Sequence, residues 1–137
     1  MIDMLAEGQT LDGPAITRLQ ALKTGRLIQF CAEAGAILGR APFPQRHALA
    51  AYGRDLGAAF QIADDLLDAE GSTEETGKTA GKDAAAGKAT MVAVLGIDRA
   101  RAHAGLLASQ AGKHLESFGN KADLLRALAT FAVTRRS

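Results

Sequence analysis

The chain has 137 residues, 47% of them hydrophobic but only 4% aromatic, which allows one domain with a modest core of Ala, Leu, Ile and Val and favours closely packed helices. The formal net charge is +1 with 16 basic residues spread along the chain, which excludes the basic patch that nucleic-acid binding demands. The single cysteine excludes an internal disulfide and no apolar run approaches the ~18 residues of a membrane span, so a protein of the reducing cytoplasm with no transmembrane segment is expected.

Residues 1–7 read as the last turns of a helix, with Ile2 and Leu5 on one side and Gly8 as the stop. This start is acidic where a signal peptide would be basic. Asp12 or Gly13 then caps a long helix that Pro14 opens and that runs to about Leu38. Its apolar positions, Leu22, Phe30, Ala34, Ile37 and Leu38 among them, keep helical spacing and are expected to pack. Cys31 lies between them and reads as a buried, inert thiol. Gly25 and Gly35 permit close approach of a neighbour, and Gly39, Pro42 and Pro44 end the helix.

The helix expected over residues 45–68 contains the stretch FQIADDLLD. At about 100° per residue, Gln61, Asp64, Asp65 and Asp68 fall within an arc roughly 100° wide, opposite a packing face of Leu49, Tyr52, Leu56, Ala59, Ala63, Leu66 and Leu67. Like charges at such spacings weaken a helix slightly and invite a compensating cation. A solvated acidic face is the other reading. Ala50, Gly53 and Gly57 lie near the carboxylate side one to three turns earlier, and their small size is expected to leave an Asp-lined cavity.

From Gly71 to Gly87 the periodicity vanishes and glycines recur, which is loop composition. A short helix over residues 88–95 follows, then Gly96 and a cap at Asp98 for a helix to about Phe118, with Leu106, Leu107, Leu115 and Phe118 facing the core. Gly119 closes it and Asn120 caps the last amphipathic segment, marked by Leu124, Leu125, Leu128, Phe131 and Ala132, before the basic end at Arg135 and Arg136. No strand pattern and no internal repeat appears, so the fold class is all-α.

Two motif matches fail. GKDAAAGKAT has five residues between its glycines instead of four, lacks Ser or Thr after Lys88 and follows no strand, so it is not a P-loop. Read as a calcium loop around Gly71, the chain has Leu66 at the first ligand position and Gly77 where Glu is required. What remains is a carboxylate triplet followed by Lys78, Lys82 and Lys88, with Lys23 from the preceding helix. Mg²⁺ binds through one or two carboxylates and keeps its other positions for water or phosphate oxygens, so Asp64 and Asp68 at i, i+4 suit a bridge to a diphosphate. Glycines let the loop's backbone N–H groups approach those oxygens. A plain linker between two helices is the competing reading of the Lys-bearing loop.

Three blocks, in order, carry a resemblance: Lys23-Thr24-Gly25, FQIADDLLD and GKTAGKDAAAGKAT. Together they resemble the C-terminal half of a trans-type polyprenyl diphosphate synthase of the farnesyl or geranylgeranyl kind, the second block fitting the family's second aspartate-rich motif. The similarity covers essentially all of residues 1–137, and it implies part of an antiparallel helical bundle of the isoprenoid synthase type. It further implies a prenyltransferase that joins isopentenyl diphosphate to an allylic diphosphate, with Mg²⁺ as cofactor. By resemblance Asp64 ligates the metal, with Asp65 and Asp68 as direct or water-mediated helpers. Lys23 and Lys78 grip the allylic diphosphate and, with Asp64, form the catalytic set. Thr24 and Gln61 are neighbouring polar contacts, Phe60 lies beside the reacting chains or in the core, and Lys82, Asp83 and Lys88 order the loop that closes over them.

The family's first aspartate-rich motif, its basic residues for isopentenyl diphosphate and its length-limiting residues belong to an N-terminal half that these 137 residues do not contain. The resemblance therefore implies half an active site, inactive alone, in a chain that associates with itself or with the missing half. The alternative is a non-catalytic helical subunit that pairs with a synthase chain.

Overall fold

The structure is a computed structural model that describes Asp12, Ala15 and residues 21–76 and 90–135; for Ala21, Lys23 and residues 72–76 it describes the backbone alone. The expected helix over residues 1–7 and the Lys-bearing segment 77–89 lie outside the described residues, as does Arg136. Within them the chain is helical, with no strand. A π-helical turn, Ala21–Gly25, leads into α1 (Arg26–Leu38), followed by α2 (Phe43–Thr76), α3 (Met91–Leu95), α4 (Ile97–Lys113), a 3-10 segment (Glu116–Ala122) and α5 (Asp123–Thr134).

Local chemistry sets several boundaries; the cap at Asp12 is as expected, and the one at Thr90, before a helix that starts at Met91, has no counterpart in the sequence reading. The Asp12 carboxylate accepts the Ala15 N–H at 2.9 Å, and the Thr90 hydroxyl oxygen accepts that of Ala93 at 3.1 Å, each satisfying a donor that a helix start leaves over. Others differ. At the end of α1 the left-handed residue is Arg40, φ 52°, and Gly39 keeps a negative φ while its N–H bonds the Gly35 carbonyl. Pro44 opens α2 instead of closing α1, because the first turn has no use for its missing N–H. The expected loop at Gly71 is also overturned, since α2 runs through it to Thr76. One glycine costs about 1 kcal/mol in a helix interior, which does not stop a helix already nucleated for seven turns.

Asp98 is not a cap either. Gly96, at φ 81°, begins α4, its carbonyl accepting the Ala100 N–H, and Asp98 sits in the first turn, where its charge still suits the helix N-terminus. Helix α4 stops at Lys113, short of Phe118, and Asn120 lies inside the 3-10 segment without capping α5. Helix α5 starts without a side-chain cap, and the segment before it is held by Arg126, whose guanidinium donates to the carbonyls of Leu115 and Gly119, both at 2.8 Å, and to the Asp123 carboxylate at 2.7 Å. Gly119, at φ 57°, supplies the reversal.

Helix α2 is the spine. Gly53 faces the Gln29 and Ala32 region of α1 and Gly57 faces Gly25, so α1 runs antiparallel to it at backbone contact. Tyr52, Leu56 and Ala59 pack with Ala108, Ala111 and Leu115, while Ile62 and Leu66 pack with Ala100, Ala104, Met91 and Val92, so α4 is antiparallel to α2 as well. The buried alanines at Ala100, Ala104, Ala108 and Ala111 form one ladder along α4, and that ladder is how a core poor in aromatics closes. The Tyr52 hydroxyl donates to the Leu125 carbonyl at 2.9 Å, low on α2, while the end of α5 reaches Asp64, so α5 runs parallel to α2.

Several expected core positions are exposed. On α1 they are Leu22 before the helix, then Phe30, Ile37 and Leu38, and Cys31 is exposed beside them. On α5 they are Leu124, Leu128 and Phe131, and on α4 Leu106. Helical spacing records an apolar stripe but not what covers it, and among the described residues nothing packs on these stripes. Gly35 likewise meets no neighbour.

Candidate functional site

Three elements converge where α2 carries its carboxylates. The packing face expected for α2 is in place, with Tyr52, Leu56, Ala59, Ala63 and Leu66 buried. The opposite arc is less uniform than its spacing suggests. Gln61 is 8% exposed and its Oε1 has no hydrogen-bond partner among the described residues, whereas Asp64 is about half exposed, Asp65 partly buried and Asp68 exposed. A buried carbonyl oxygen without a donor is costly, so the arc has an unmet demand for a donor at its base.

Among the described residues the glycines expected to leave a cavity below the aspartates are instead filled. A Cβ built on Gly57 would lie 2.7 Å from the Gly25 Cα, and one on Gly53 would lie 2.8 Å from the Gln29 Cα. The small residues on this side are filled by the backbone of α1, and that contact sets the π-helical turn, with Thr24 partly buried in it, one turn below Gln61. The backbone of Lys23 is thereby placed beside the carboxylate helix, while its side chain lies outside the described set. Lys78, Lys82, Asp83 and Lys88 lie wholly outside it. A cavity of about 310 Å³ does open between α1, α2, α3 and α4, lined by Gly25, Arg26, Arg54, Asp55, Ile62 and His103 among others, but not by the aspartates.

The third element is the end of α5. Arg135 follows the last helical residue, its N–H still bonded to the Phe131 carbonyl at 3.0 Å while its ψ of 143° turns the chain out of the helix. Its Nη2 donates to Asp64 Oδ1 at 3.1 Å, and the guanidinium carbon lies 4.4 Å from the centre of the Phe60 ring. Its Nε is buried without a hydrogen-bond partner among the described residues. Phe60 is partly buried beside the first core cluster, so it serves both the core and the rim of this site. Sequence reasoning noted Arg135 only as a basic end. It also passed over Asp55, which is buried and bridges His114 Nε2 at 2.8 Å and Arg54 Nε at 2.9 Å.

Among the described residues no three His, Cys, Asp or Glu side chains form a group able to cage an ion. Mg²⁺ asks for less: one or two carboxylates with open positions for water and phosphate. Asp64 and Asp68, on one face and reachable from solvent, fit that donor set, and the unpaired Gln61 acceptor fits a site where water or an ammonium group supplies the hydrogen.

The family model for polyprenyl synthetases matches residues 1–128. A dimethylallyltranstransferase from Fischerella ambigua (strain UTEX 1903) is 40% identical over 127 residues, 93% of this chain and 37% of that protein. Among solved structures, an FPP/GFPP synthase from Zymomonas mobilis, in its apo form, superposes with a TM-score of 0.79 at 50% identity, over 96% of this chain and 42% of that one. A geranyltransferase from Helicobacter pylori complexed with magnesium and isoprenyl diphosphate superposes at 0.72 and 27% identity, over 96% of this chain and 43% of that one. The chain thus spans about two-fifths of the length of these relatives.

Proposed function

The chain belongs to the polyprenyl synthetase family, and we propose on that premise that residues 1–137 are the C-terminal half of a prenyltransferase of isoprenoid biosynthesis, of the farnesyl or geranylgeranyl type. The reaction joins isopentenyl diphosphate to an allylic diphosphate with release of diphosphate. The observation that carries this reading is the Gly25–Gly57 contact, which brings the Lys23-Thr24-Gly25 turn to the base of the carboxylate arc.

Loss of the allylic diphosphate builds negative charge on the departing group, so cations aimed at that charge favour the transition state over the bound substrate. Asp64 and Asp68 would hold Mg²⁺, aided by Asp65, and the metal when bound supplies that neutralisation as a Lewis acid. Lys23 and Lys78 grip the same diphosphate, with Thr24 and Gln61 as polar contacts. Phe60 borders the reacting chains, and Lys82, Asp83 and Lys88 organise the segment that joins α2 to α3. The first carboxylate cluster and the isopentenyl diphosphate site then come from a second polypeptide segment.

Among the described residues no helix is long and apolar enough to cross a membrane, and an exposed thiol at Cys31 suits a reducing cytoplasm. A second reading, a non-catalytic subunit that pairs with a synthase chain, is favoured by the bare apolar stripes of α1 and α5. Both readings require the carboxylate arc to bind a metal diphosphate if its motif is intact. Calorimetry with inorganic pyrophosphate should show binding that needs Mg²⁺ and that Asp64→Ala removes. Equal binding with and without Mg²⁺ would sink the proposal. Turnover after mixing with the N-terminal half of a family member would decide for the catalytic reading.

A further inference from the structure

We infer that Arg135 is a positioning residue of the carboxylate arc: an internal counter-ion that competes with a divalent cation for Asp64 and, once displaced, donates to the diphosphate. This rests on the reading of the arc as a metal–diphosphate site. Four observations support it. Arg135 is bonded to Asp64 Oδ1 at 3.1 Å, so the carboxylate that is the main candidate ligand already has a cation. The pair is unevenly buried, with the Arg135 side chain 23% exposed and that of Asp64 51%, so the aspartate can be reached from outside while its partner sits behind it.

Arg135 is also incompletely bonded. Its Nε is buried and has no hydrogen-bond partner among the described residues, although a guanidinium that served only to fix the end of α5 would be expected to have that donor satisfied there. Finally, the guanidinium rests 4.4 Å from the Phe60 ring centre, a second hold that keeps it at the site when Asp64 is taken from it. The backbone N–H bond to Phe131 anchors the residue, so the side chain can move without unwinding α5.

One carboxylate oxygen shared between a guanidinium and a divalent ion puts two cations in repulsion, so the ion pair must loosen as metal enters. The freed fork, with five donors and no acceptor, matches phosphate oxygens better than it matches any other group on the arc. The consequence is a site that resists metal alone and favours metal arriving with diphosphate.

The test is calorimetry on the full 137-residue chain with MgCl₂ alone, and with inorganic pyrophosphate at saturating Mg²⁺, for the native chain, Arg135→Gln, Arg135→Lys and Asp64→Asn. Arg135→Gln should bind Mg²⁺ alone about threefold more tightly, the worth of a partly exposed ion pair. It should bind Mg²⁺–pyrophosphate roughly tenfold more weakly, the worth of a charge-assisted hydrogen bond, with Arg135→Lys in between. If Asp64→Asn removes Mg²⁺ binding while Arg135→Gln changes neither affinity, the counter-ion role is overturned and the metal-site reading stands. Pyrophosphate binding that shows no Mg²⁺ dependence, or a Mg²⁺ dependence that survives Asp64→Asn, overturns both. Should circular dichroism show that the Arg135 variants lose helix, the native chain decides: the Arg135 Nε–H resonance must shift with the same midpoint as Mg²⁺ binding, and a resonance that does not move refutes the proposal.

Discussion

The Gly25–Gly57 contact offers the sharpest test of the architecture, through Gly57→Ala. In an isolated helix this change stabilises, by about 1 kcal/mol, because alanine has less backbone freedom to lose. Here the new methyl group would lie 2.7 Å from the Gly25 Cα and 3.0 Å from its carbonyl oxygen, and both are backbone atoms that no rotamer change can move. Inserting a carbon into a packed interior costs about 1–3 kcal/mol, and a contact between two helix backbones belongs at the upper end of that range. The net expectation is a loss of about 2 kcal/mol, which for a chain of this size lowers Tm by roughly 8 °C.

Gly35→Ala is the control, since it makes the same chemical change in α1 where nothing lies within 4 Å, and should stabilise by about 0.5–1 kcal/mol. Urea melts followed by circular dichroism give both values. The two substitutions should also separate in function: only Gly57→Ala pushes Thr24 away from the carboxylate arc, so only it should weaken Mg²⁺-dependent pyrophosphate binding. If Gly57→Ala proves as stable as the native chain, α1 and α2 do not meet at their backbones, and the placement of the Lys23-Thr24-Gly25 turn loses its support.

Three further outcomes are expected. The purified 137-residue chain should not turn over isopentenyl diphosphate with an allylic diphosphate, and product formed by it alone, followed by radiolabelled extraction, would show that one carboxylate cluster suffices. The same chain should associate, because the exposed stripes of Leu27 and Phe30 on α1 and of Leu124 and Phe131 on α5 are contiguous apolar faces; sedimentation should show mass rising with concentration, and Leu124→Glu with Phe131→Glu should reduce it without loss of helix. Burial raises the pKa of the Tyr52 hydroxyl above its ordinary 10.0, so as pH rises the unfolded chain ionises first. That contribution is whole below the unfolded value and is lost as pH climbs through the folded one; Tyr52→Phe should cost about 1 kcal/mol near neutrality by removing the bond to the Leu125 carbonyl, and should flatten the loss of stability as pH rises above 10.0 in urea melts.

The helices were readable because the information that makes them is local. Apolar residues at helical spacing and Asp12 as a side-chain cap act within one or two turns of where they stand, whereas Pro44, read as an end of α1, opens α2. Boundaries failed where a distant group replaced the local signal. Asn120 is a good capping residue by type, yet the 3-10 segment, whose Leu115 and Gly119 carbonyls accept from the distant Arg126, runs past it and α5 starts without a side-chain cap. Gly71 is a breaker by type, but a glycine stops a helix only if the turns on either side are weak. Exposure was the least readable property. The stripe through Leu128 and Phe131 has the spacing of a core, and among the described residues nothing covers it.

The site divides along the same line. Gln61, Asp64, Asp65 and Asp68 share an arc because one helix carries all four, so their juxtaposition could be computed from sequence positions alone. The meaning of the neighbouring small residues could not: Gly53 and Gly57 are compatible with an empty cavity and with a helix pressed against them, and only the position of α1 selects the second. Asp55 left a usable signal, a carboxylate one residue before Leu56 on the packing side of α2, where an unpaired charge would be prohibitive and a partner such as His114 had to exist. Arg135 left none. It lies 71 positions from Asp64, and it reaches that carboxylate only because α4 turns back along α2 and α5 turns again, so that the end of α5 arrives at the end of α2 that carries the aspartates. A cation delivered by topology instead of by spacing is invisible to any motif.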